Sequence, residues 1–370
     1  MNKIGLLLAR RYYYYQLLLQ FTLSKVKGSV QGSVRYSALF IILTILLVAC
    51  NDDDQSSPYS DILSQSPYAS LTDSIKKQPK NDDLYFRRAV LLNKNNFPEP
   101  ALADFQKAWT LSKQEKYALG IAKAWMDKKP DSSVIFLNEA LKQLPQSYLL
   151  QLTLARSYDA LDKTNEALEA CNQLLQALPD QPEVLVLQSE LLNKKGDTLA
   201  SVVSLEKAVR LVPHNFNLAF TLADKYAATK NPKAITLCDS LIIKDSLSQF
   251  AEPYYFKGLY YANTNNKVKA LQLFDETIKH GYNFLNAYIE KGRILLDQKK
   301  TIEAYKVFNL ANTIKPSFPD AYYWMAVCQE ELKQMDDALS NYEKAYQLDK
   351  TFIEAKEAAE RLSKVVKATS

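Results

Sequence analysis

The chain has 370 residues, 47% hydrophobic and 24% charged with only 8 glycines, which supplies a large core and excludes disordered, collagenous and disulfide-framework classes. Residues 1–50 hold Lys3, Arg10, Arg11, Lys25, Lys27 and Arg35 and no acid, so the formal charge of +5 leaves 40 basic against 41 acidic residues in the remainder. A near-neutral body carries no electrostatic footprint for nucleic acid or for an anionic membrane surface. Two histidines and four cysteines leave little material for acid–base, zinc or thiol chemistry, so neither an enzyme nor a metal site is expected.

The first element in chain order is an apolar stretch from Ala38 to Ala49, preceded by Lys25, Lys27 and Arg35 and followed by Cys50 and Asn51-Asp52-Asp53-Asp54. A positive flank, a short apolar core and a small residue before a polar tail read as a secretory signal. Twelve helical residues rise about 18 Å, short of a hydrocarbon core of about 30 Å, which disfavours a permanent span. The run Leu47-Val48-Ala49-Cys50 resembles the lipobox of bacterial lipoproteins. That resemblance implies cleavage before Cys50 and its acylation, a covalent lipid and no other cofactor; two acyl chains already give stable anchoring. Residues 1–49 are therefore expected to be leader and signal peptide, and 50–66 a lipidated cysteine on an acidic, flexible tether. The leader is longer than secretion needs, which leaves a later translation start near Val30 or Val34 open. In lipoprotein sorting, Asn51 rather than Asp after the cysteine points to the outer membrane of the bacterial envelope. The acidic run resembles a surface-sorting signal and equally suits a solvated tether, so the periplasmic and outer faces both stay open.

Beyond the tether the chain repeats. Small residues recur at Ala101, Ser133, Ala167, Ser201, Ala234, Ala270, Ala304 and Ala338, at spacings of 32, 34, 34, 33, 36, 34 and 34. Four residues after each comes a bulkier one: Phe105, Leu137, Cys171, Leu205, Cys238, Phe274, Phe308 and Tyr342. Four residues make about one helical turn, so both lie on one face. Sixteen residues before the small position an aromatic stands in five units, at Tyr85, Tyr117, Tyr254, Tyr288 and Tyr322, and a small residue such as Ala89, Ala155, Gly258, Gly292 or Ala326 marks the same helix. Pro145, Pro179, Pro213 and Pro316 close several units where the chain must turn. A period near 34 gives two helices and two turns per unit.

This pattern resembles the tetratricopeptide repeat, most clearly in Tyr288, Gly292, Ala304, Phe308, Ala311 and Pro316, and nearly as well in Tyr254, Gly258, Tyr261, Ala270 and Phe274. The resemblance implies an all-α fold, a right-handed α-α superhelix of about eight helix pairs over 67–350, with 67–79 as a candidate capping half-repeat. The register around Tyr117 to Gly120 is open by one residue. Stacked repeats need a polar-backed terminal helix, and 351–370 supplies one. Thr351 and Glu354 read as its capping box, with Ile353, Ala358, Leu362 and Val366 towards the stack.

The family's concave wall is lined by the first helix of each unit, just after the aromatic position and four residues on. Carried onto this chain, the wall presents Phe86, Arg87 and Val90; Leu152 and Arg156; Val186 and Glu190; Phe220 and Asp224; Tyr255, Phe256 and Leu259; Ile289 and Arg293; and Tyr323, Trp324 and Val327. Aromatics with arginine are the usual anchors of an interface. The expected function is a lipid-anchored adaptor that binds a protein or peptide segment in this groove. The alternative is a surface lipoprotein that captures a glycan or peptide nutrient on stacked aromatics. Relatives that clamp a C-terminal carboxylate need Lys and Asn where this chain has Phe86 and Val90, Tyr255 and Leu259, or Tyr323 and Val327, so no such clamp is expected. Asp83, Glu183, Glu252 and Asp320 read as complements of helix N-termini, His214 and His280 as solvated turn residues, and Cys171, Cys238 and Cys328 as inert buried thiols.

Overall fold

The computed structural model describes residues 58–369 apart from 127, 246 and 248. The expected signal peptide, Cys50 and the start of the tether lie outside the described residues. Among the described residues there are nineteen helices and no strand, and none of the helices is long and apolar enough to cross a membrane.

Eight helix pairs follow one another: α3 (Asp82–Lys94) with α4 (Pro98–Leu111), α5 (Glu115–Met126) with α6 (Pro130–Gln143), α7 (Tyr148–Asp159) with α8 (Thr164–Ala177), and α9 (Pro182–Lys194) with α10 (Thr198–Leu211). They continue as α11 (Phe216–Ala228) with α12 (Lys233–Lys244), α13 (Glu252–Asn263) with α14 (Lys267–His280), α15 (Leu285–Asp297) with α16 (Thr301–Ile314), and α17 (Pro319–Glu331) with α18 (Met335–Leu348). Two short helices, α1 (Ser60–Leu63) and α2 (Ala69–Lys77), precede the first pair, and α19 (Ile353–Thr369) follows the last. Each helix packs on its neighbours in sequence, which makes the stack an α-α superhelix.

The repeat is a packing register. All eight recurrent small residues, from Ala101 to Ala338, are 0% exposed, because each is where the paired helices approach most closely. In the sixth unit a Cβ added to Gly258 would lie 2.7 Å from Phe274, and Gly292 faces Phe308 more closely still, so each phenyl ring fills the hole that a glycine leaves. In the fourth unit Ser189 and Ser201 take the same places and share a hydrogen bond of 2.9 Å, with the Ser201 hydroxyl also donating to the Ser189 carbonyl at 2.7 Å.

The second unit settles the open register. The Ser133 hydroxyl donates to the carbonyl of Ala122, eleven residues back, where Ser201 reaches twelve residues back. Ala122 is therefore the small residue of that unit. Tyr117 instead faces the preceding unit, with its ring 5.3 Å from Phe86 and its hydroxyl donating to Asp82 Oδ2 at 2.7 Å.

The turn inside most units rests on a left-handed residue that the sequence pattern does not mark. Asn96, Asp162, Lys230, Asn265, Lys299 and Lys333 have φ between 54° and 64°, and Gly196 has 80°. After each, an amide reaches back five residues to close the helix, as in Phe97 N to Leu92 O at 3.0 Å and Lys300 N to Leu295 O at 2.9 Å. The wider spacing between Ala234 and Ala270 is taken up between α12 and α13. There the Phe250 amide donates to Asp245 Oδ2 at 2.7 Å, and its ring packs 5.2 Å from Phe216 and 5.4 Å from Phe220.

Both ends differ from expectation. The folded body begins inside the stretch expected as tether: Leu63 and Tyr68 are buried with Ala89, Leu92 and Phe105. A buried network ties this cap to the first pair, with Arg88 donating twice to Asp104 (2.7 and 2.8 Å) and once to Thr72 Oγ1 (2.9 Å). Burial pushes the Asp104 carboxyl pKa up, and the Arg88 guanidinium opposes it. At the other end the Thr351–Glu354 box does not form. Asp349 captures both the amide and the hydroxyl of Thr351, at 2.8 and 2.7 Å, and α19 starts at Ile353. The helix turns Ala355, Ala359 and Leu362 inward and leaves Ile353 half exposed, so of the expected inward set only Leu362 is fully buried. Arg361 reaches back to Glu330 in a two-pronged ion pair of 2.6 and 2.8 Å, which fixes the cap to α17.

Candidate functional site

The wall residues divide by depth. Leu152 and Phe220 are buried, the first among Ala155, Cys171 and Leu187, the second in an aromatic cluster with Phe250 and Phe256. They belong to the core rather than to a groove surface. Val186 is half-buried against the fourth and fifth units, and Phe86 is half-buried between Phe105 and Tyr117. Arg87, Val90, Arg156, Glu190 and Asp224 are exposed along the first helices. Leu259 packs beside Phe274 and Ile294, and Val327 beside Phe308 and Tyr342.

The remaining expected residues converge. Tyr255, Ile289, Arg293, Tyr323 and Trp324, from α13, α15 and α17, line one pocket of about 450 Å³ together with Asn286, Glu290, Asp320, Phe352 and Glu354. Alternate helices α13, α15, α17 and α19 contribute because stacking brings the first helices of successive units and the cap side by side. Tyr255 leans on Phe284 at 4.8 Å, and Tyr323 on Phe352 at 4.9 Å, so each ring offers only part of its surface. Arg293 donates to Glu290 at 2.8 Å and lies 5.3 Å over the Trp324 ring, which also meets Tyr323 edge-on at 5.3 Å and stacks on Phe308 at 5.9 Å. Glu290, Arg293 and Trp324 also border a second hollow of about 540 Å³, towards the turns at Asn265 and Lys299. The Glu290–Arg293–Trp324 group is thus the partition of one longer trough.

Burial raises the pKa of the Asp320 carboxyl, its own backbone amide opposes, and the Asp349 charge adds to the rise. Asp224, one unit beyond the pocket, is raised by partial desolvation from the wall around it although its surface is open, and the charge of Lys225 opposes the rise. Tyr255 and Tyr323 are held above the usual phenol range, chiefly by burial and then by neighbouring carboxylates, and so remain neutral donors at ordinary pH. The pocket can therefore offer hydrogen bonds, carboxylates and aromatic faces to a ligand.

Half of this lining was absent from the expected wall. Asn286 and Asp320 stand three residues before Ile289 and Tyr323, on the same helical face, and that spacing could have found them. Asp320, expected only to complement a helix start, faces the pocket. Phe352 comes from the approach to the cap and Glu354 from its first turn, and no repeat pattern reaches them.

The other expected features fall elsewhere. Cys171, Cys238 and Cys328 are free and fully buried, and burial pushes each thiol up to about 12. His214 is exposed. His280 differs from the expected solvated turn residue: it ends α14, stacks on Tyr254 at 4.5 Å and lies 3.8 Å from Glu276. Among the described residues no group of three or more His, Cys, Asp and Glu stands close enough to hold a metal ion.

Two family models described as tetratricopeptide repeat match this chain, at residues 124–191 and 319–352. A solved tetratricopeptide repeat protein from Parabacteroides merdae is similar over 66% of this chain and 97% of its own, at 14% identity and a TM-score of 0.53. At that identity the likeness speaks for the fold alone. The yeast Tom70 structure covers 81% of this chain and 84% of its own at 13% identity, but its TM-score of 0.46 carries no argument. Among curated proteins none matches. Residues 124–191 and 319–352 thus match tetratricopeptide-repeat models, and the rest of the stack continues the same helix pairing in an all-α fold like that of the solved repeat protein.

Proposed function

We propose that this protein is a lipid-anchored adaptor of the bacterial cell envelope that holds a segment of a protein partner in the C-terminal half of its concave groove, and that its work is binding rather than turnover. The observation that carries the groove is the pocket where Tyr255, Ile289, Arg293, Tyr323 and Trp324 meet. Aromatic and arginine side chains there remain partly open after all core packing is complete. The anchor rests on the sequence alone: the basic flank, the apolar run and Leu47-Val48-Ala49-Cys50. Outer-membrane placement follows from Asn51 beside the cysteine.

Nutrient glycan capture has weaker support. A sugar platform needs an open aromatic face, whereas Trp324 has Arg293 on its ring and Phe308 beside it.

The test combines fractionation with affinity purification of the full chain. Wild type should sediment with outer membranes and bring down a defined envelope protein. Cys50→Ser should move the chain to the soluble fraction, and Trp324→Ala should leave it membrane-bound without the partner. A Cys50→Ser chain that stays with the membrane contradicts the anchor, and copurification indifferent to Trp324→Ala contradicts the groove.

A further inference from the structure

The pocket between α15, α17 and the cap is charged in one sense. Its single cation, Arg293, is partly neutralised by Glu290, to which it donates at 2.8 Å while lying over Trp324, so the three carboxylates leave the pocket net acidic. Asp320 and Glu354 face the same space, and no ion pair among the described residues includes either of them. Asp320 is partly buried, on the first turn of α17. A carboxylate held away from water without a counter-charge loses solvation that a bound cation can replace. Tyr255, Tyr323 and Phe352 line the same space, and the open part of an aromatic π-face favours a cation over an anion at short range.

A volume of about 450 Å³ takes one long side chain with part of its backbone, and the trough continues past Glu290 and Arg293 into the second hollow. This shape suits an extended segment with one side chain seated and its neighbours lying along the groove. An acidic segment would meet three carboxylates, Glu290, Asp320 and Glu354, against the one cation Arg293. We infer that the pocket seats a lysine or arginine side chain of an extended protein segment, with Asp320 and Glu354 as its counter-charges and Tyr255, Tyr323 and Phe352 around its aliphatic stem. This inference rests on the groove reading given above.

The experiment selects random peptides displayed on phage against the full chain in detergent micelles, then measures synthetic copies of the recovered peptides by fluorescence anisotropy. Peptides whose binding depends on Trp324 should share a Lys or Arg. Replacing that residue by norleucine or citrulline should weaken binding about tenfold or more, as should Asp320→Asn combined with Glu354→Gln. Circular dichroism of the double variant, and each single variant measured alone, separate lost recognition from lost folding. Trp324-dependent peptides that bind equally well without a cation overturn the inference and leave the groove reading intact. Failure to recover any Trp324-dependent peptide overturns both.

Discussion

The middle of the superhelix and its C-terminal end use the same repeat in opposite ways. In the third to fifth units the wall positions Leu152 and Phe220 sink into the core, and the helices meet through alanines and, in the fourth unit, through the paired Ser189 and Ser201. In the sixth and seventh units the holes are glycines filled by Phe274 and Phe308, in the eighth Ala326 faces Tyr342, and Tyr255, Tyr323 and Trp324 stay partly open above them. Beside these fillers Tyr255, Tyr323 and Trp324 keep part of their surface open, although Tyr288 and Ile289 of the seventh unit are buried. The lesson is that the repeat fixes a fold along its length, while the choice of filler decides where that fold presents a binding face.

The largest effect should come from the N-terminal network, which neither half shares. Asp104→Asn leaves Arg88 buried beside a neutral partner and should destabilise the protein by about 3 kcal/mol in urea denaturation. Arg88→Met with Asp104→Leu should recover most of that loss. Gly292→Ala drives a methyl group into Phe308 and should cost about 1–3 kcal/mol by the same measurement. Ser189→Ala removes one hydroxyl but leaves Ser201 its bond to the 189 carbonyl, and should cost only about 1 kcal/mol. Equal losses at Gly292 and Ser189 would erase the contrast between the two regions.

The cap adds a dependence on acidity. The Arg361 guanidinium, then Tyr342, holds the Glu330 carboxyl below its ordinary value of 4.5, although partial burial opposes them. A depressed carboxylate contributes stability that is present above its ordinary pKa and lost as pH falls through the depressed folded value. The protection of α19 amides, measured against their intrinsic exchange rate at each pH, should therefore fall below about pH 4.5 in the wild type, and Glu330→Gln should be weakly protected and insensitive over that window. The smallest effects belong to the turns. Lys299→Gly relieves a left-handed residue and should stabilise by about 1 kcal/mol, whereas Gly196→Ala should destabilise by a similar amount.

What could be read from the residues follows the same division. Small and bulky residues at fixed spacing report contacts within and between neighbouring helices, so the interior positions from Ala101 to Ala338 were visible in the pattern. The one-residue shift at Ala122 was not, because Ile121 and Ala122 both satisfy an apolar face and only the Ser133 hydrogen bond chooses between them. The left-handed turns escaped notice since Lys, Asn and Asp stand where glycine would have signalled them. The cap misled through Thr351, whose hydroxyl had a nearer acceptor in Asp349. The pocket was half legible: its aromatics follow the repeat, but Phe352 and Glu354 arrive only through the way the cap docks.

The central claim, that binding belongs to the C-terminal half of the groove, is tested most directly by placing a photoreactive residue at one position at a time in living cells. The positions are Arg87, Arg156, Asp224 and Asn286 along the first helices, with Glu303 on α16 as the reference outside the pocket. The account predicts one discrete crosslinked protein from Asn286, weaker capture from Asp224, and none from Arg87, Arg156 or Glu303. The same adduct from Arg156 or Glu303 as from Asn286, or none from Asn286, would contradict it.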